Sequence, residues 1–178
     1  MSPSEDESPT PSAGGLANGG PSVIEVAELR NVLGHFATGV VVVTGAGRSG
    51  PAGLTCQSFF SLSLDPPMVA VAPARTSQSW PFIHRSEAFC VNVLAAAQES
   101  LGRAFATSGG DKFAGVGWSP AATGSPRLHD VLAWIDCRLV DAHEGGDHHL
   151  IVGRIVEMGS APGEPLVFYR GGFGSFRS

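Results

Sequence analysis

Three imidazoles and two carboxylates crowd into seven residues, His143-Glu144-Gly145-Gly146-Asp147-His148-His149, directly before the apolar run LIVGRIV that starts at Leu150. Such side chains are transition-metal ligands. However, His148 and His149 are adjacent, so on a strand they point to opposite faces and cannot share one ion. No HExxH, CxxC or facial-triad spacing accompanies them, and no metal is expected. Two readings stay open. The segment is a polar hairpin turn, or one histidine at a strand entrance, held by the Gly-Gly-Asp turn, bonds the carboxamide or phosphate of a ligand.

A second polar concentration lies in GLTCQSFFSLSLDPPMVAV, from Gly53 to Val71. Thr55, Gln57 and Ser58 follow Gly53 and Leu54, and neutral hydrogen-bonding groups beside glycine suit a flat, polar-edged ligand lying close to the backbone. Thr55 and Ser58 can equally be strand hydroxyls bonding backbone. Further on, Ser61 and Ser63 alternate with Leu62 and Leu64, which places the leucines toward a core.

Cations are few. Arg75 and Arg85 flank a predicted helix over 76–85, with Thr76 as its N-cap. Arg75 lies at the turn where free amides gather, so it ranks above Arg85 as an anion ligand. Trp80 and Phe82 read as core, and Trp118 and Trp134 as packing or interface residues. Lys112, the sole lysine, follows Asp111 and reads as a structural ion pair. No G-x-S-x-G elbow or recognisable triad signature is present. Gly45-Ala46-Gly47-Arg48-Ser49-Gly50 fits G-x-G-x-x-G, but Pro51 and a strand-like run follow where a dinucleotide fold needs a helix. It reads as a hairpin turn.

The elements that must position these groups are mostly strands. Val26, Leu29, Leu33 and Phe36 fall at helical spacing and predict a first helix ending near Phe36. Strands are expected over 39–44, 51–58, 68–72, 88–94, 128–140, 150–158 and 165–169, with a further helix over 98–106. About seven short strands and few helices favour a closed or nearly closed antiparallel barrel, a mainly β fold. Residues 1–22 are rich in Ser, Pro, Gly and acid and read as a disordered leader; residues 23–178 form one domain. The formal charge is -5, of which Glu5, Asp6 and Glu7 supply three. The remainder is nearly balanced, which gives no footprint for nucleic acid or an anionic membrane. No apolar run reaches membrane-spanning length, no signal peptide opens the chain, and Cys56, Cys90 and Cys137 read as buried thiols; a cytoplasmic location is expected.

Taken together, FATGVVVVT, GLTCQSFFSLSLDPPMV, FCVNVL, DKFAGVGW, LAWIDCRLV, GGDHHLIVGRI and PLVFYRG resemble, in that order, the short-chain NAD(P)H:flavin reductases that serve two-component aromatic monooxygenases. The likeness spans Leu29 to Arg170. It implies a split β-barrel of the FMN-binding, Greek-key type that binds FMN or FAD, usually as a homodimer. It implies hydride transfer from NADH, or NADPH, and supply of reduced flavin to an oxygenase by diffusion. Without clustered arginines beside GGDHH, where Arg154 is the nearby candidate, NADH is favoured. By position, Gly53, Leu54, Thr55, Gln57 and Ser58 match the wall of the flavin ring. Pro73, Ala74, Arg75, Ser77, Gln78 and Ser79 match the segment near the ribityl chain and phosphate. His148 matches the histidine of the nicotinamide nucleotide, and Tyr169 and Arg170 the C-terminal element near the flavin. Some relatives carry a longer tail than the one ending at Ser178. The alternative function is a flavin-binding storage or sensing module without turnover.

Overall fold

The computed structural model describes residues 24–47 and 50–176. The leader expected over 1–22 lies outside them. The chain opens with helix α1 (Val26–Leu33) and passes a short strand β1 (Thr38–Gly39) into the hairpin β2 (Val41–Gly47) and β3 (Gly50–Cys56). The G-x-G-x-x-G match is the end of that hairpin, where Gly47 pairs with Gly50. Strands β4 (Phe60–Leu64) and β5 (Pro67–Val71) form a second hairpin, followed by helix α2 (Trp80–Arg85) and strand β6 (Ala88–Val93). After a 3-10 turn comes helix α3 (Glu99–Ala106), then a small hairpin of β7 (Trp118–Pro120) and β8 (Pro126–Leu128). The long hairpin β9 (Ala133–Gly145) and β10 (His148–Ser160) leads to β11 (Leu166–Tyr169) and β12 (Gly172–Ser175).

Seven strands share one antiparallel sheet in the order β3-β2-β6-β9-β10-β5-β4. The sheet curls but does not close, because β3 and β4 are both edges. The barrel expected from the sequence is therefore split. The run Val40 to Val43 is buried at every position. Alternation explains it: Val41 and Val43 join the core of Trp80, Ile83 and Phe89, whereas Val40 and Val42 join Phe105, Leu94 and Leu166 on the other face. A strand covered on both sides has no need of a polar face.

Three expectations are corrected. Leu62 and Leu64 do not face the core; they are 44% and 89% exposed. A register shift between Ser61 and Ser63 interrupts the pairing of β4 with β5, and β4 has no further neighbour in the sheet. The helix expected from Thr76 begins at Trp80, and Ser77 Oγ, not Thr76, accepts the Trp80 amide at 3.2 Å. The first helix ends at Leu33 and buries none of its residues.

Candidate active site

A cavity of about 930 Å³ lies against the edge strand β3. One wall is β3 and the turn after it: Leu54, Thr55, Gln57 and Ser58. Strand β3 pairs only with β2 in the sheet, so its outer edge has no strand partner there. Opposite stand Ala74, Ser77, Gln78 and His148. Eight of the residues singled out in the sequence thus face one space, although His148 is 90 positions from Ser58.

The hydroxyls of this wall are already engaged. Thr55 Oγ1 donates to Gly102 O of α3 at 2.7 Å. Ser58 Oγ donates to Ala72 O at 3.0 Å and accepts from Ala72 N at 2.8 Å, fastening the turn after β3 to the end of β5. Both side chains keep acceptor lone pairs for a ligand. The Gln57 and Gln78 carboxamides make no hydrogen bond among the described residues, so they offer donors and acceptors to the cavity. Gly53 also has a packing reason to be glycine. A Cβ there would stand 2.5 Å from Phe105 Cε1, so the residue admits the α3 aromatic.

The β9–β10 turn holds His148. Gly146 takes φ +72°, which favours glycine. Asp147 Oδ1 lies 2.7 Å from His148 Nδ1. That contact assigns the ring proton to Nδ1, leaving Nε2 an acceptor when the ring is neutral and a donor when it is protonated. The hydrogen bond from His148, and then its charge, hold the Asp147 carboxyl below the usual carboxylate range. His143 pairs instead with Asp141 at 3.3 Å, so these two imidazoles serve different carboxylates. The turn is stitched to the segment after β5: Arg75 N donates to Asp147 O at 2.9 Å, His149 N to Pro73 O at 3.0 Å, and Ala74 bridges His148.

Other sequence-selected residues do not line this cavity. The Arg75 guanidinium lies 3.4 Å from Glu144, an exposed pair that a phosphate can displace at little cost. Arg85 lies over the Phe82 ring, 5.6 Å from its centroid. Phe82 itself is 43% exposed, against the core position expected, because it falls on the outer side of α2 while Trp80 and Ile83 turn inward. Gly53 and Ser79 line a smaller neighbouring cavity. Tyr169 packs edge-on against His35, and Arg170 N donates to Gly34 O at 3.0 Å, so both lie at the end of α1. Their neighbours Phe168 and Phe173 reach the large cavity.

Part of the lining was not singled out in the sequence. Arg103, Thr107 and Ser108 come from α3 and its C-terminal end. An alternation on β11 and a hydroxyl pair after a helix are weak signals, and only the fold brings them here. Lys112 corrects an expectation outright. Its ammonium meets no carboxylate among the described residues but donates to Phe105 O at 3.0 Å and to Gly53 O and Ser79 Oγ at 3.4 Å. Asp111 is turned away, its Oδ1 accepting the Phe113 amide. Burial holds the Lys112 pKa below the usual lysine range.

Residues 33–177 match the model of the flavin reductase like domain. The chain belongs to this flavin reductase family. Over 149 residues it is 47% identical to the flavin-dependent monooxygenase reductase subunit HsaB of Rhodococcus jostii strain RHA1, covering 83% of this chain and 76% of that protein. The crystal structure of nitrilotriacetate monooxygenase component B from Mycobacterium thermoresistibile superposes with a TM-score of 0.82 at 42% identity, over 85% of this chain and 86% of that one. The Streptomyces globisporus NADH:FAD oxidoreductase SgcE6, solved with NAD and FAD fragments, gives 0.78 at 35% identity, over 85% and 92%. The family fold is the split barrel found here.

The residues present fit a flavin. An unpaired strand edge, two free carboxamides and a cation without a counter-charge face a space of about 930 Å³, large enough for a tricyclic ring and a second flat group.

Proposed function

We propose that this protein is an NADH-dependent flavin reductase that passes hydride to FMN or FAD and releases the reduced flavin to a separate flavin-dependent oxygenase. The observation that carries the reading is that His148 and the wall from Leu54 to Ser58 open on the same cavity. The hydride chemistry belongs to nicotinamide and flavin. What this chain must do is bring two flat rings within about 3–3.5 Å of each other and keep water out. Gln57, Gln78 and the β3 edge supply donors where negative charge grows during reduction. His148, oriented by Asp147, is suited to hold the nicotinamide nucleotide, and Arg75 to leave Glu144 for a phosphate. No residue is needed as a nucleophile.

A second copy completes the reading. Ile24, Val26, Leu29, Val32, Leu33 and Phe36 are all exposed on and around α1, an apolar face that suits a homodimer interface. The three free, buried thiols suit a reducing cytoplasm. The test is NADH oxidation by the purified protein with FMN and FAD in turn. Oxidation should accelerate with added flavin; no acceleration with either flavin, using NADH or NADPH, would end the proposal and leave a flavin-binding module at most.

A further inference from the structure

Four residues lie directly opposite one another across four adjacent strands: Gly53 on β3, Thr44 on β2, Cys90 on β6 and Asp136 on β9. Residues so opposed share one face of the sheet. Thr44, Cys90 and Asp136 are wholly buried. The segment from Lys112 to Leu128 is tied to this row at three points. Lys112 Nζ donates to Gly53 O at 3.4 Å, and Thr44 Oγ1 donates to Pro126 O. Asp136 accepts from Thr123 N at 2.7 Å and from Thr123 Oγ1 at 2.6 Å. Buried Asn92, two residues along β6, reinforces the middle tie. Its Nδ2 donates to Thr44 Oγ1 at 3.1 Å, and its Oδ1 accepts Leu128 N at 2.8 Å.

Asp136 is the costly member of this network. No cation pairs with its carboxylate among the described residues. Arg127, on the tied hairpin, lies over the Trp134 ring instead, 4.9 Å from its centroid. An apolar side chain of similar size would avoid the desolvation of a buried carboxylate. What the carboxylate supplies is position. Thr123 Oγ1 also meets Ser125 Oγ at 2.9 Å, and Ala121 N donates to Ser125 O at 2.9 Å, so a whole turn is fixed through one residue. From that turn β7 runs back to Trp118, which meets Phe113 edge-on at 6.2 Å. Phe113 in turn meets Phe105 at 5.1 Å and adjoins Lys112, whose side chain lines the large cavity. The ammonium has only two carbonyls and a hydroxyl to hold it, so the strap behind it decides where it stands.

We propose that Asp136 is a positioning residue of the reductase site. Through Thr123 it registers the strap from Lys112 to Leu128 on the sheet, and the strap holds the Lys112 ammonium where a bound flavin meets it. The inference rests on the flavin reading of the large cavity. It assigns to a buried residue, which lines no cavity, a share in ligand affinity.

Dissociation constants for FMN and FAD are measured on the full chain, on Lys112→Gln, on Asp136→Asn and on the double variant. Each single substitution should weaken binding of the flavin that stimulates NADH oxidation by about tenfold, and the double variant should bind no more weakly than Lys112→Gln alone. A merely structural role for Asp136 would weaken binding equally with or without the lysine, and that additivity would overturn the proposal. Thr123→Val, which removes one of the two bonds to Asp136, keeps the test open if Asp136→Asn does not fold. It should weaken binding about threefold, again only while Lys112 is present. Unchanged affinity in Thr123→Val, or in Lys112→Gln, would overturn the proposal and leave the reductase reading intact. Binding of neither flavin by the unmodified protein would remove the flavin reading itself, and the proposal with it.

Discussion

His148 shows what a single residue can and cannot do in this site. Its Nδ1 is committed to Asp147, so any ligand meets Nε2 at the cavity wall. Replacing it by Ala should lower kcat/KM for NADH by about 1–3 kcal/mol, the scale of one hydrogen bond to a charged or buried group, and spare flavin affinity. Steady-state kinetics with varied NADH check this; unchanged parameters would remove the residue from the nucleotide site. The thiols make the opposite case. Cys56 lines the large cavity, yet burial pushes its pKa, and that of Cys137, up to about 12, and raises Cys90 as well. At pH 8 about one part in ten thousand of such a thiol is the reactive thiolate. A disulfide reagent should therefore label none of the three in native protein and all three after denaturation; one rapidly labelled thiol would contradict their burial. The turn that carries His148 was legible in the sequence because GGDHH is local. Lys112 was not, because its acceptors lie on Gly53 and Ser79, 59 and 33 residues away, and the adjacent Asp111 offered a false partner.

At the level of elements, the cavity wall on β3 is also a packing surface between β3 and α3. The Thr55 hydroxyl reaches Gly102 O, and the space a Cβ would take at Gly53 is filled by Phe105. Gly53→Ala should thus destabilise the fold by about 1–3 kcal/mol through overpacking, read as a lower denaturant midpoint. Full stability combined with lost flavin binding would instead show that the glycine serves the ring's approach. The strand pattern was legible wherever hydrophobic runs are long, as in the Val40–Val43 stretch and β6. Periodicity failed on β4, whose leucines alternate as a core strand should. What reverses them is an irregular pairing with β5 and an edge position, and neither is encoded in the alternation itself. The start of α2 failed for a related reason. Ser77 and Thr76 are both competent caps by residue type, and only the geometry of the turn assigns the Trp80 amide to Ser77.

For the molecule as a whole, the sequence indicated a mainly β domain, and the open sheet explains why such a domain has a cleft rather than a sealed barrel. The first helix poses the remaining question. Its apolar spacing is that of a helix packed on a core, yet Val26, Val32 and Leu33 are 60–63% exposed within one chain. Burying apolar area stabilises by about 25 cal/mol per Å², so a helix left this bare favours association. A two-fold interface would present the same face from each copy and cover both at once. Sedimentation should therefore give roughly twice the 18.3 kDa of the chain. Replacing Leu29 and Val32 together by Glu should shift the species to 18.3 kDa with the strand signature of the circular dichroism spectrum retained, since neither side chain is buried in the fold. A wild-type protein that sediments as a single chain at micromolar concentration would show that α1 is covered in some other way.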